Sequence, residues 1–169
     1  MNAPQKVKLV SFLPENNRGG PKAKNESFWA EAVGGGQYRL LSIPGADPDL
    51  NYHDIVTAEA RQYGGLTVLQ ITGIVRRGGQ RTFGMWLAKA GLFDRQRKAE
   101  QKALLETLRE DLGAHLEKGG KHSYGVSVLA ARSDATSKLL VAALNHDGVP
   151  GGAVDAWHAS GVTNRWAGE

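Results

Sequence analysis

Two His-Asp dipeptides, His53-Asp54 and His146-Asp147, are the first residues here whose types and spacing could do chemistry. Metal-dependent phosphohydrolases use such a pair together with further His and Asp ligands carried on helices. His53 falls in a predicted strand, where adjacent side chains point to opposite faces, so His53 and Asp54 cannot readily share one metal. His146 falls at a predicted helix end, where the macrodipole favours a cationic imidazole. A hydrolase around His53 and Asp54 is therefore only a distant alternative. His115, His122 and His158 are isolated, and the H-E-x-x-H spacing of zinc hydrolases is absent. Ser11, Ser42 and Ser160 lack the G-x-S-x-G setting of an activated serine. No phosphate loop of the G-x-x-x-x-G-K-[ST] type occurs, and Gly34-Gly35-Gly36 precedes a strand rather than a helix, so it reads as a hairpin turn. The chain has no cysteine, which removes disulfides, thiolate ligands and thiol nucleophiles. No catalytic residue, metal ligand or cofactor is assigned.

The sharpest local feature is cationic. Arg76-Arg77-Gly78-Gly79-Gln80-Arg81 places three guanidiniums at a predicted strand–turn–strand junction. Guanidiniums grip phosphates or carboxylates with paired hydrogen bonds, and Trp29, Phe83 and Trp86 offer stacking surface beside them. The formal net charge is +4, and its positive part is concentrated in two segments, 1–24 and 76–102. Such segments attract polyanions or acidic proteins. The binding residues expected on this ground are Arg76, Arg77, Arg81, Arg95, Arg97, Lys98 and Trp86.

The elements that must position these residues read as α+β. An N-terminal antiparallel β meander or small, partly open barrel is followed by an α/β half with two helices packed on a sheet. Residues 1–27 form a basic strand and linker, 28–88 a β-rich subdomain and 89–169 an α/β subdomain. Strands are predicted near 7–13, 28–33, 38–43, 52–59, 66–75 and 81–87, separated by glycine and proline turns. Leu105, Leu108, Leu112 and Leu116 recur near the helical period, which predicts a helix over 95–118 capped by Asp94 and stopped at Gly119-Gly120. On that helix Glu110, Asp111 and Glu117 form a solvated face. A strand is expected over 122–131, a helix from Ser133 or Asp134 to about His146, and a last strand over 153–158.

The first half also resembles a known family. Phe28-Trp29-Ala30-Glu31, Gly36-Gln37-Tyr38-Arg39-Leu40, Ile43-Pro44, Tyr52-His53-Asp54-Ile55-Val56, Gly65-Leu66-Thr67-Val68, Arg77-Gly78-Gly79 and Arg81-Thr82-Phe83 are similar to the uncharacterised bacterial family catalogued as domain of unknown function 4265. The resemblance spans about 27–145. It implies a fold and carries no established activity, cofactor or catalytic residue. The family has Gly where this chain has His53, so the tight turn implied by that Gly is open.

The apolar run at 9–13 is too short for a signal-peptide core, and no stretch approaches the ~18 apolar residues of a membrane span. The expected setting is cytoplasmic, with no membrane partner. The expected function is non-enzymatic binding by contact with another protein, in an immunity or regulatory role. The alternative is nucleic-acid binding through the 76–102 basic segment.

Overall fold

A computed structural model describes residues 5–13, 25–91, 94–144 and 153–159. His146 and Asp147 lie outside the described residues.

The first five strands are β1 (Lys6–Phe12), β2 (Asn25–Gly34), β3 (Gln37–Leu40), β4 (Ile55–Tyr63) and β5 (Leu66–Arg76). Each pairs antiparallel with the next, and β1 closes on β5 in parallel, giving a closed barrel rather than a partly open one. Alternation along each strand drives this. Leu9, Phe28, Ala30, Leu40, Val56 and Ile71 point inward and are buried together with Leu50. Gly34, Gly35 and Gly36 all take positive φ, as the β2–β3 hairpin requires.

The remaining elements are β6 (Gln80–Leu87), α1 (Arg95–Glu110), β7 (His115–Lys118), β8 (Ser123–Leu129), α2 (Ser133–Ala142) and β9 (Val154–Ala159). The β-α-β-β-α-β order, with sheet order β7-β8-β6-β9 and antiparallel pairing throughout, is a ferredoxin-like split βαβ arrangement. The 81–87 strand thus pairs in this second sheet. One face of the sheet carries Phe83, Met85, Leu87, Val126 and Val128 and buries Leu104 and Leu108 of α1 and Leu140 of α2.

The opposite face carries Thr82, Gly84, Gly125 and Ser127 and receives the β3–β4 connection, residues 41–54. Small residues make room for this strap. Ile43 sits where a Cβ on Gly125 would be, 2.7 Å from its Cγ2, and the His158 imidazole lies 2.2 Å from where a Gly84 Cβ would stand. Tyr52 N–H donates to Thr82 Oγ1 at 3.2 Å, and Thr82 N–H donates to Asn51 Oδ1 at 3.0 Å. The strap therefore joins barrel to sheet.

Three expectations need correction. The helix predicted over 95–118 ends at Glu110. Gly113 takes φ +63, and Ala114 N–H reaches back to the Leu108 carbonyl at 2.8 Å, so the chain reverses at a left-handed glycine just past the helix. Residues 115–118 are then a strand, β7, so Leu116 and Glu117 lie on a sheet, and Gly119-Gly120 follows that strand. The Asp94 cap is as expected, its Oδ1 accepting from Arg97 N–H at 3.0 Å. The strand predicted over 52–59 starts later, at Ile55, because His53 occupies a left-handed turn at φ +66. The helix expected from Ser133 or Asp134 has no side-chain cap; a 3-10 turn, Ala130–Arg132, leads into it.

Candidate functional site: a cationic cleft along α1

Buried polar groups cluster on the strap, and almost all of them hold backbone. Asp54 is fully buried; its carboxylate accepts from Asn51 N–H at 2.9 Å, Arg77 Nη1 at 2.8 Å and Gly78 N–H at 2.8 Å. Arg77 Nη1 also donates to the Asp49 carbonyl. Glu26 accepts from three successive backbone N–H groups, those of Gly45, Ala46 and Asp47, at 2.6, 3.1 and 2.9 Å. Burial nevertheless pushes its carboxyl above the usual range, against the pull of those hydrogen bonds. Asp47 accepts from Ser11 and from Asp49 N–H, and Glu117 accepts from Ile43 N–H at 2.8 Å. The spacing Asp47-x-Asp49-x-Asn51 looks like a ligand run, yet Asp47 and Asn51 hold protein donors. Among the described residues no three His, Asp or Glu side chains converge as a metal would require.

His53 and Asp54 diverge. Asp54 turns inward to Arg77, while the His53 ring stacks on Tyr52 at 3.9 Å, and Tyr52 stacks on His115 of β7 at 4.9 Å. Burial, then the nearby Arg39 and His115, lower the proton affinity of His53. Gly78 is fixed by the same turn, since a Cβ there would stand 2.4 Å from the His53 carbonyl carbon. The left-handed turn is therefore present with His in place of the family's Gly.

The cations expected to bind fall into two groups. Arg76, Arg77 and Arg81 stand at the β5–β6 turn, with Arg77 committed to Asp54 and Asp49. Arg95, Arg97 and Lys98 lie in the first turn of α1, and Arg97 donates to the Lys89 carbonyl at 3.0 Å. Arg81 and Trp86 are five residues apart on β6, so ~17 Å separates them along the strand and their side chains leave opposite faces. Trp86 is 41% exposed and packs its ring near His158 at 5.3 Å. Of these residues, Lys98 borders a cleft formed by described residues.

That cleft, of about 350 Å³, runs where α1 crosses the ends of β6 and β8. Leu87, Leu105 and Tyr124 form its apolar floor; Lys98, Lys102 and Arg109 form its rim, with Glu106 among them. Lys102 Nζ lies 3.7 Å from Glu106 Oε1. Gln101 is held inward, its amide donating to the carbonyls of Ala88 at 2.6 Å and Ala153 at 3.3 Å. Sequence reasoning missed Lys102, Leu105, Arg109 and Tyr124 as a group. The i, i+4, i+7, i+11 spacing of Lys98, Lys102, Leu105 and Arg109 was a usable signal, because it places all four on one stripe of a helix. Tyr124 and Leu87 carried no such signal.

A solved protein, described as a novel crystal structure of a hypothetical protein from Neisseria gonorrhoeae, shares the fold with a TM-score of 0.58 and 17% identity, over 84% of this chain and 87% of that one. No curated protein matches. The family described as a domain of unknown function (DUF4265) matches residues 26–150, the barrel from β2 onward together with most of the second sheet. The chain belongs to the DUF4265 family.

Proposed function

We propose that this chain is a non-enzymatic binding protein that engages another protein through the α1 cleft, the working mode of an immunity or regulatory factor. The observation that carries this reading is an apolar floor, Leu87, Leu105 and Tyr124, inside a rim of three cations. Apolar centres ringed by charge are how protein interfaces combine affinity with register. The carboxylates in and around the strap support the reading indirectly: Asp54 within it, and Glu26 and Glu117 from β2 and β7, all hold strap backbone and are poorly placed to act on a substrate. Nucleic-acid binding along 76–102 would need both cation groups on one track, and the length of β6 lies between them.

A photo-crosslinking residue at position 102, compared with one at the exposed Thr67 on the barrel, tests the proposal in the organism of origin. The expected result is a discrete protein adduct at 102 and none at 67. The complex, rebuilt from purified components, should be weakened by Leu105→Ala. Adducts with nucleic acid alone, or identical adducts from both positions, would refute it.

A further inference from the structure

Three aromatic rings join the strap to β7. The His53 ring stacks on Tyr52 at 3.9 Å, and the His115 ring stacks on the same phenol at 4.9 Å. Tyr52 and His53 belong to the strap and His115 to the sheet, so the stack bridges barrel and sheet. The main chain sets where the His53 ring can go. His53 takes φ +66, its N–H donates to the Leu40 carbonyl at 3.2 Å, and its carbonyl carbon lies 2.4 Å from where a Gly78 Cβ would stand. A residue with a Cβ is strained in that conformation and stays there only where its surroundings over-determine it. The ring stack is one of those surroundings.

Imidazole is the side chain that changes charge between about pH 5 and 8. The groups facing His53 make its protonation unfavourable here. Arg39 of β3 and His115 of β7 oppose a positive charge, and Glu31 of β2 favours one. Glu31 is engaged by Arg39 at 2.7 Å. Asp54, next in the turn, points inward to Arg77, and Glu117 of β7 accepts from Ile43 N–H. A proton on His53 therefore places positive charge beside a guanidinium and a second imidazole, within a half-buried stack. A lone cation is attracted to a phenol face. Two imidazoles sharing one phenol beside Arg39 repel each other as they charge.

We infer that the Tyr52–His53–His115 stack is an acid-released clasp between the strap and β7. At neutral pH the rings are closed. In mild acid His53 takes up a proton, its ring leaves Tyr52, and the left-handed turn loses a contact that holds it. The release is local. The hydrogen bonds of Asn51 and Tyr52 with Thr82, and the Asp54–Arg77 pair, involve no imidazole, so the strap stays on β6 while its contact with β7 parts. Burial, then Arg39 and His115, lower the proton affinity of His53 in the closed form, so the open form binds the proton more tightly. The clasp is thus fully closed above the ordinary imidazole range and opens as pH falls through 6.5 toward the lower midpoint of the closed form.

The test is a proton NMR titration of the full chain from pH 8 to pH 5, with a peptide of residues 49–57 as the open reference. Circular dichroism at pH 5 establishes that the chain is folded. The His53 midpoint is expected below that of the peptide, and the Tyr52 ring protons should move toward their peptide positions with the same midpoint. Hydrogen exchange over 50–55, corrected for intrinsic rates, should lose protection in acid beyond any change in the β4–β5 hairpin. The loss should be about ten-fold for each pH unit that separates the two midpoints. Arg39→Gln and His115→Gln should each raise the His53 midpoint, and His53→Gln should remove the acid dependence of exchange over 50–55. Tyr52 ring protons that stay fixed while His53 titrates overturn the inference. So does a His53 midpoint at or above that of the peptide, or an acid-dependent opening that persists in His53→Gln.

Discussion

Removing the Arg77 guanidinium should destabilise the chain by about 2–3 kcal/mol. The figure follows from what Arg77→Ala leaves behind. Asp54 has no exposed side-chain surface, and its carboxylate is held by Arg77 Nη1 at 2.8 Å and by the N–H groups of Asn51 and Gly78. Breaking a fully buried pair from one side costs about 3–5 kcal/mol, because an unpaired charge remains inside. Two features reduce that here. Arg77 is itself 40% exposed, so water already screens part of the attraction and enters when the side chain is cut. The two N–H donors also stay in place. Against this, the hydrogen bond from Arg77 to the Asp49 carbonyl is also lost, which adds about 1 kcal/mol. Asp54→Asn should cost a comparable amount, since an amide presents N–H to donors that need an acceptor. The double variant should cost clearly less than the sum, with a coupling energy of about 1–2 kcal/mol. Urea melts with a shared m-value measure this, and for a chain this long 2–3 kcal/mol corresponds to roughly 5–10 °C in Tm. A cost below ~1 kcal/mol for Arg77→Ala, or strict additivity, would show that the strap is not held by this pair.

Leu108→Ala should cost about 3–5 kcal/mol and Leu112→Ala clearly less in the same melts, because Leu108 is fully buried while Leu112 packs at the margin of the core beyond the last turn of α1. Gly78→Ala should destabilise strongly, since its Cβ meets the His53 main chain, which cannot swing aside as a side chain can. His53→Gly should be neutral or stabilising by up to about 1 kcal/mol, as the left-handed cost of ~1–2 kcal/mol is relieved while the Tyr52 stack is lost. His158 predicts a pH effect. Burial lowers its proton affinity below the ordinary 6.5, outweighing its hydrogen bond with the Gly45 backbone. The unfolded chain therefore takes up the proton first. Stability should fall as pH drops from 7 through 6.5 toward the lower native value, and His158→Gln should flatten that slope in melts run between pH 5 and 8.

Local chemistry made much of this fold readable. Asp94 announces a helix because its carboxylate can reach Arg97 N–H, and the three glycines at 34–36 announce a hairpin because each tolerates positive φ. The helix end was obscured by an accident of spacing. Leu112 and Leu116 extend the helical rhythm of Leu105 and Leu108, although a chain reversal at Gly113 lies between them. The lone Gly113 was the stop, outweighed in sequence by the pair at 119–120. The turn at His53 was hidden for a different reason. His-Asp-Ile-Val alternates like a strand, and nothing local reveals that Gly78, far along the chain, packs against its main chain. The cleft was the least legible feature. α1 alone supplies the rim, but Leu87 and Tyr124 reach it only once β6 and β8 have paired.

The way the barrel closes bears on how the chain comes to fold. Five strands running alternately up and down leave the first and last pointing the same way, so the closure has to be parallel. It is also short, registered at Leu9↔Leu69 and Val10↔Gln70. Making it encloses about 60 residues of chain, an entropic cost of roughly 3–4 kcal/mol, whereas β4 and β5 meet across the two-residue turn between Tyr63 and Leu66. The hairpin should form early and β1 dock last. The same seam should be the first to part in native-state hydrogen exchange, baring the edge of β5. An edge bared in that way accepts any strand of matching pattern, and the one available at high concentration is β1 of another copy. Exchange of the N-terminal strand between molecules is therefore the assembly error this barrel is most exposed to.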